Sequence, residues 1–413
     1  MTPLDELLRD ESLDVHFQPI FSLRQKAIVG LEALARPKIM NVGEMFSQAT
    51  KADCLLELDR LCRRKAMENY RDLALPSEPR PLLFFNFEAS IIDDGIVGSG
   101  AILAAVHAAG LDPRDIVIEI NESKVADIGA LKRFVDHHRN LGFLIALDDL
   151  GAGHSNLPRI VQLRPHIIKL DRDLIDGIDR DFVKQETMKS LVGLCKSIGS
   201  LVLAEGVEKI EEVDTCAALG AELFQGFYFS RPKPPHALDF SVLQPSLLKA
   251  SSRLRKGLAQ AMQARRLESN RIQYMVDKGR KLLLQNGCFD TALATLVRRD
   301  MNIEACYLLD QNGIQISSTH LGYDIVVPHT HLFAPAFRGT DHSSKEYFFS
   351  LLDCGLDRYT TETYISIATG NLCRTVSVVL NYSCHEKYVL CIDLKARNAS
   401  CRAIARGPTS LFI

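Results

Sequence analysis

Between Met1 and about Leu243, short apolar runs finish one after another on an acidic or amide side chain. The runs are Val15 to Phe21, Ala27 to Ala35, Leu82 to Phe87, Ile116 to Ile120, Phe143 to Asp149, Ile167 to Asp171, Leu201 to Glu205 and Glu222 to Phe229. Helical patterns separate most of them: Asp53 to Leu73, Gly100 to Ala109, Ala126 to Asn140, Lys184 to Ile198 and Ile210 to Leu219. Strand alternating with helix predicts an α/β fold, a parallel sheet under covering helices. About eight strands in this length fit a TIM-type barrel. A doubly wound open sheet is the alternative, weakened by the missing glycine fingerprint of dinucleotide folds.

The strand ends carry the chemistry. They hold Glu32 with Arg36 beyond it, Asn86, Glu119, the pair Asp148 and Asp149, Lys169 with Asp171, Glu205 with Glu208, and Gln225. In a barrel these ends open on one mouth. Carboxylates there are costly to bury unless paired or bound to a metal. So many oxygen ligands predict a hard divalent cation, Mg²⁺ or Mn²⁺. Side chains of neighbouring strand residues point to opposite faces, so Asp148 and Asp149 converge only where the strand ends and turns. Gly151 and Gly153 follow at once. Lys169 comes straight after Ile167 and Ile168, which places it on the mouth side as a positive donor.

Composition narrows the class. The chain has 413 residues, 46% hydrophobic and 24% charged, enough for two or three soluble domains. A net charge of -2 gives no overall positive field for nucleic acid or a membrane surface. No apolar run approaches the ~20 residues of a membrane span. The start, MTPLDELLRDESLD, lacks the basic and apolar blocks of a signal peptide. A cytoplasmic protein is expected. The 11 cysteines form no CxxC pair, and Cys195, Cys306 and Cys391 sit in apolar runs. They read as reduced buried thiols, with neither a disulfide frame nor a zinc site. His137 and His138 read as an exposed helix end.

The order of these motifs resembles the EAL-domain family of cyclic di-GMP phosphodiesterases. The strings are FQPI at Phe17 to Ile20, EALAR at Glu32 to Arg36, Asn86, EINE at Glu119 to Glu122, DDLGAG at Asp148 to Gly153, KLD at Lys169 to Asp171, AEGVE at Ala204 to Glu208 and QGFYFSRP at Gln225 to Pro232. The resemblance covers roughly residues 10 to 240 and implies a modified TIM barrel that opens the cyclic dinucleotide to linear pGpG. By that resemblance Glu32, Asn86, Glu119 and Asp148 match metal ligands, and Asp148, Asp149 and Glu205 would hold a second cation. Lys169 matches the lysine that positions the attacking water. Gln18 and Arg36 match substrate contacts, Arg36 to a phosphate, with Asp171, Glu208 and Gln225 on the substrate side. Glu122 matches the glutamate that pins the loop after Asp149, a loop linked to dimerisation. Divalent cations suit a phosphodiester, because they acidify water and neutralise charge building at phosphorus. Ca²⁺, larger and looser in coordination, is expected to inhibit. Glu88 replaces a common Ser, and Leu150, Ala152, His154 and Asn156 depart from the usual loop, all outside the ligand set. A receptor that binds the nucleotide without turnover is the alternative; such receptors lose EAL, metal or lysine residues that this chain keeps.

The remainder reads as a linker helix, 244–285, and an α+β domain, 286–413. Leu247 to Leu284 is helical and basic, with Glu268 and Asp277 as its only acids. Its apolar positions, among them Leu254, Leu258, Met262 and Leu267, recur at helical spacing. A homodimer with this helix near its axis would bury them. ACYLLDQNGIQISST, TETYISIATG, CRTVSVVL and KYVLCIDL read as antiparallel strands. Their order resembles a PAS- or Cache-like sensory domain, which implies regulation by an unknown small-molecule or protein signal. No GGDEF string occurs, so a built-in diguanylate cyclase is not expected.

Overall fold

The computed structural model describes residues 2–73, 75, 80–92, 100–121, 125, 127–150, 157–285, 287–327, 332–382 and 386–396. Helix α1 (Pro3–Asp10) precedes strands β1 (Leu13–Ser22) and β2 (Ala27–Pro37). Helices α2 (Val42–Lys51) and α3 (Leu55–Arg71) lead to β3 (Leu82–Phe87), and α4 (Ala101–Ala108) leads to β4 (Ile116–Ile120). Then come α5 (Ile128–Asn140), β5 (Leu144–Leu150), α6 (Leu157–Leu163) and β6 (Ile167–Leu170). Helices α7 (Arg172–Ile175) and α8 (Phe182–Ile198) reach β7 (Leu201–Ala204), and α9 (Ile210–Leu219) reaches β8 (Leu223–Phe224).

These eight strands close into a barrel in chain order, with helices around it. Strands β2 to β8 run parallel, but β1 is antiparallel to both β2 and β8. The all-parallel expectation fails at β1 for a plain reason. Only residues 23–26 join β1 to β2. A parallel crossover needs about a dozen residues or more, so this short link can make only a hairpin.

The barrel holds two apolar layers. Ile20, Phe84, Val117, Ala146, Ile167, Leu203 and Leu223 fill its interior as a floor. The alternate residues, such as Phe85, Ile118, Ile145, Ile168 and Val202, point outward onto Met67, Val106, Leu131, Val135 and Val192 of the helices. Each such side chain, fully buried, contributes about 1.5–3 kcal/mol. His138 belongs to this outer layer and is buried, which corrects its reading as an exposed helix end. It stands one turn after Phe134 on the inward stripe of α5, and its Nδ1 meets the Phe134 carbonyl at 2.9 Å. Burial lowers its pKa to about 4, so it is neutral.

The chain divides into compact units at Met1–Gln260 and Ala261–Ile413. Helix α10 (Phe240–Gln285) runs through this division. Leu243, Leu247 and Ala250 pack in the core of the first unit, and Ile272, Met275, Val276 and Leu283 in that of the second. The second unit continues with α11 (Phe289–Arg299), β9 (Ile303–Leu309), β10 (His320–Leu321), α12 (Glu346–Leu352), β11 (Arg358–Thr360), β12 (Tyr364–Ile365), β13 (Leu372–Asn381) and β14 (Lys387–Lys395). Its sheet is antiparallel, in the order β10-β9-β14-β13-β11, with β12 also on β13. The piece ACYLLDQNGIQISST is a strand only in its first half. Beyond it, Asp310 Oδ1 accepts from the Asn312 and Ile314 amides at 2.8 and 2.9 Å, and Ser317 Oγ accepts from the Leu308 amide at 2.9 Å. Side chains there supplement a few isolated backbone bonds, such as that from the Ile316 amide to the Leu308 carbonyl at 2.9 Å. Among the described residues, no helix is long and apolar enough to cross a membrane.

Candidate active site

Above the apolar floor, most mouth residues stand two positions beyond the floor residue of their own strand. Phe84 leads to Asn86, Val117 to Glu119, Ala146 to Asp148, Ile167 to Lys169, Leu203 to Glu205 and Leu223 to Gln225. Residues i and i+2 of a strand share a face. The alternation that fills the barrel therefore also stacks a polar layer on it. Strand β1 runs the other way, so the step from Ile20 goes back to Gln18, which pairs with Glu32 across β1 and β2. Gly30, two residues before Glu32, has no side chain because a Cβ there would lie 2.4 Å from the Phe84 ring.

Lys169 is the centre of this layer. It is 1% exposed, and its Nζ lies 2.7 Å from Glu119 Oε1, 2.8 Å from Glu205 Oε1, 3.3 Å from Asp148 Oδ1 and 3.5 Å from Glu32 Oε1. Burial alone would strip its proton, but the four carboxylates raise its pKa well above that of an ordinary lysine. One ammonium cannot neutralise four acids. Burial, then the neighbouring Glu32 charge, pushes Glu119 well above the carboxylate range. Burial and the Asp148 charge likewise lift Glu205 to about 8, against the pull of Lys169. Glu32 goes the other way. Burial would raise it, but Lys169 and hydrogen bonds from Gln225 Nε2 (2.5 Å) and Asn86 Nδ2 (3.2 Å) bring it below its usual value. Gln18 locks the pair from behind, accepting from Gln225 Nε2 at 3.3 Å and donating to the Ser230 carbonyl at 3.0 Å.

The donor set suits a hard cation. Both oxygens of the fully buried Glu119 carboxyl lack a hydrogen-bond partner, although one is close to Lys169. A buried carboxyl with one ion-pair contact and both oxygens short of well-formed hydrogen bonds is costly, and a further cation would satisfy it. Among the described residues, however, no three acidic, His or Cys side chains already stand in ligating position, because they surround the ammonium instead. Strand β5 carries a bulge between Leu147 and Leu150, on the two aspartates. An extra residue of this kind re-aims the backbone beside a site. Only the Asp148 side chain is described there. Glu122, Gly151 and Gly153 lie outside the described residues.

Two hollows flank the centre. One, of about 140 Å³, is lined by Gln18, Glu32, Glu205, Glu208, Gln225 and Arg172. Arg172, which no sequence motif singles out, pairs with Glu208 at 2.9 Å. Gly206 beside it has φ +67°, and a Cβ would strike the Arg172 side chain at 2.7 Å. The other hollow, of about 380 Å³, is lined by Arg36, Asn86, Glu88, Asn121 and Phe46, with the buried pair Asp59–Arg63 at its back. Asn121 and Phe46 were also missed, the first although it lies inside the EINE string. Asp171 does not line either hollow. Its carboxylate caps α7, accepting from the Asp173 amide at 2.7 Å.

Residues 2–232 match the EAL domain, more than half of the chain, and the protein belongs to the EAL-domain family. Among curated relatives, it is 28% identical to the cyclic di-GMP phosphodiesterase NbdA of Pseudomonas aeruginosa, over 57% of this chain and 31% of NbdA. It is 28% identical to the uncharacterized EAL-domain containing protein YkuI of Bacillus subtilis, over 56% of this chain and 58% of YkuI. The chain thus spans less than two thirds of these relatives. The crystal structure of YkuI with cyclic di-GMP and calcium superposes with a TM-score of 0.78 at 23% identity, covering 96% of this chain and 100% of that one, a likeness of fold. BlrP1 of Klebsiella pneumoniae, in a manganese and cyclic di-GMP complex, superposes with a TM-score of 0.50 at 30% identity, over 54% of this chain and 56% of that one.

Proposed function

We propose that the first unit is a metal-dependent phosphodiesterase that hydrolyses cyclic di-GMP to linear pGpG. The observation that carries this reading is the buried Lys169 ammonium among Glu32, Glu119, Asp148 and Glu205 at the carboxyl ends of the barrel strands. Glu32, Asn86, Glu119 and Asp148 would hold one Mg²⁺ or Mn²⁺, and Asp148, Asp149 and Glu205 a second. Bound there, such cations supply Lewis acidity toward water and phosphate oxygens. Lys169 orients the attacking water from Nζ. Arg36 meets a phosphate, and the hollows on the two sides suit a ligand with two base-bearing halves. Gln225 and Gln18 hold Glu32 in place.

Purified full-length chain with cyclic di-GMP and Mg²⁺ or Mn²⁺ should yield pGpG on chromatography. With Ca²⁺ the nucleotide should bind while product formation falls at least about tenfold, because Ca²⁺ coordinates loosely and acidifies water poorly. Equal rates in Ca²⁺ and Mg²⁺ would argue against activated water. Nucleotide that binds yet is recovered intact with Mg²⁺ and Mn²⁺ would identify a receptor.

The second unit is proposed to regulate the first through a homodimer formed along α10. Leu258, Met262 and Leu267 of α10 are exposed apolar side chains that such a dimer would cover. A chain ending at Gln260 keeps Leu243, Leu247 and Ala250 in the barrel core. It should differ from the full chain in the number of protomers per particle and in turnover together. The same number of protomers and the same rate would remove the regulatory role.

A further inference from the structure

The sheet of the second unit has two unlike faces. On one, Cys306, Leu308, Val376, Val378, Leu390 and Ile392 pack against the end of α10 and α11. Strand register assigns the other face row by row. Leu309, Val389 and Val379 form one row, Tyr307, Cys391 and Ser377 the next, and Ala305, Asp393 and Thr375 the third. Helix α12 covers the first rows through Tyr347, Phe348 and Leu351. The third row borders a cavity of about 550 Å³, lined among others by Asp393, Tyr307, Tyr347, Tyr364, His342 and Ile365. That volume is in the range of small-molecule sites, about 300–1,000 Å³, and far above what a bare ion needs.

Asp393 is the unexpected residue there. It is 3% exposed, in a strand whose preceding residues are apolar. Its Oδ1 accepts from Thr375 Oγ1 at 2.6 Å, and Thr375 Oγ1 in turn accepts from the Tyr364 hydroxyl at 2.5 Å. This chain of hydroxyls fixes the carboxyl's direction but brings it no positive charge. Burial lifts its pKa to about 7, and no cation among the described residues opposes that rise. His342 adds no charge either. Its Nε2 lies 3.1 Å from Gln315 Oε1 and its Nδ1 2.7 Å from the Tyr347 hydroxyl, and burial lowers its pKa. Among the described residues, Asp341, Glu346 and Glu362 add acids to the lining, against one ammonium, on the exposed Lys345.

We propose that this cavity binds a small organic ammonium ion, with its charge against Asp393 and its apolar or aromatic body among Tyr307, Tyr347 and Tyr364. The chemistry excludes the other classes. An uncharged apolar ligand gains nothing from a buried carboxyl that costs free energy to desolvate. An anion meets four acids. A metal ion wants six or more oxygens, and Asp393 is the one nine-tenths-buried carboxylate of the lining among the described residues. An ammonium ion satisfies the carboxyl, and the aromatic faces attract it further.

The test is calorimetric titration of the full chain with three probes of one size: 2-phenylethylamine, uncharged 2-phenylethanol and anionic phenylacetate. The amine should bind at least about tenfold more tightly than the alcohol, and phenylacetate not at all. Asp393→Asn should bring the amine down to the level of the alcohol while the alcohol still binds, which reports an intact cavity. Ala368→Trp, which fills the cavity from its lining, should abolish binding of both and carries the test if Asp393→Asn does not fold. Equal binding of amine and alcohol, preference for phenylacetate, amine preference that survives Asp393→Asn, or no heat from any probe at millimolar concentration would each overturn the proposal. Binding is read directly, so the result is independent of whether the barrel turns over nucleotide.

Discussion

Under the proposed function, alanine at Glu32 or at Asp148 should lower cyclic di-GMP turnover at saturating Mg²⁺ by roughly a thousandfold or more, while the chain remains folded. The large effect follows from placement. Glu32 accepts from both Asn86 and Gln225, so it fixes one side of the oxygen set, and Asp148 sits on the β5 bulge between the proposed cation positions. The small effect on folding has its own cause. Removing one partner of a buried ion pair usually costs about 3–5 kcal/mol, because the other charge is stranded. Here Lys169 has four partners and loses one. The deletion relieves repulsion among the remaining acids, which offsets much of the lost attraction at Asp148. Glu32, held below its usual value by Lys169, Gln225 and Asn86, loses more than it relieves. The thermal melt of the Asp148 variant should therefore stay close to that of the parent and that of the Glu32 variant fall modestly, while product disappears from the chromatogram in both. Near-parental turnover in either variant would mean that the site is wrong.

The mouth was legible in the sequence because of a period of two. A run such as Val-Ile-Glu at residues 117–119 puts an apolar floor residue and an acid on one face, and the same step recurs around the barrel. The direction of β1 was less legible. It rests on the shortness of residues 23–26, and that link carries no Asn-Gly or Asp-Gly turn signal. The family resemblance alone puts Asp171 on the substrate side. The strand has already ended at Leu170, and the next Asp amide claims its carboxylate as a helix cap. His138 has no partner at ligand spacing, which says nothing of burial, whereas Leu131, Phe134 and Val135 mark the same stripe of α5 as buried. The cavity beside Asp393 had no local signal. Its lining runs from Tyr307 to Asp393, on separate strands, on α12 and on the segments between them, and meets only in the fold.

Lys169→Met separates the two roles that one lysine plays. Without a divalent cation, the ammonium is the only positive charge within 4 Å of Glu119 and Glu205 among the described residues. Its loss leaves four clustered acids, a defect of about 3–5 kcal/mol if all remained ionised. Glu119 and Glu205 already hold protons readily, so the cost falls toward the lower end of that range. At about 2–4 °C per kcal/mol for a domain of this size, the cation-free variant should melt roughly 6–12 °C below the parent. Mg²⁺ binds the folded state and should raise the variant's melting temperature more than the parent's, since the variant gives up no ammonium to accept it. A lysine that only neutralises acids would then be dispensable, and the Mg²⁺-saturated variant would turn over at the parental rate. A lysine that orients water is not replaced by the cation, so turnover should remain at least about a hundredfold low after stability has recovered. Stability and rate returning together on addition of Mg²⁺ would remove Lys169 from the chemistry and leave it as the counter-ion of an acidic barrel mouth.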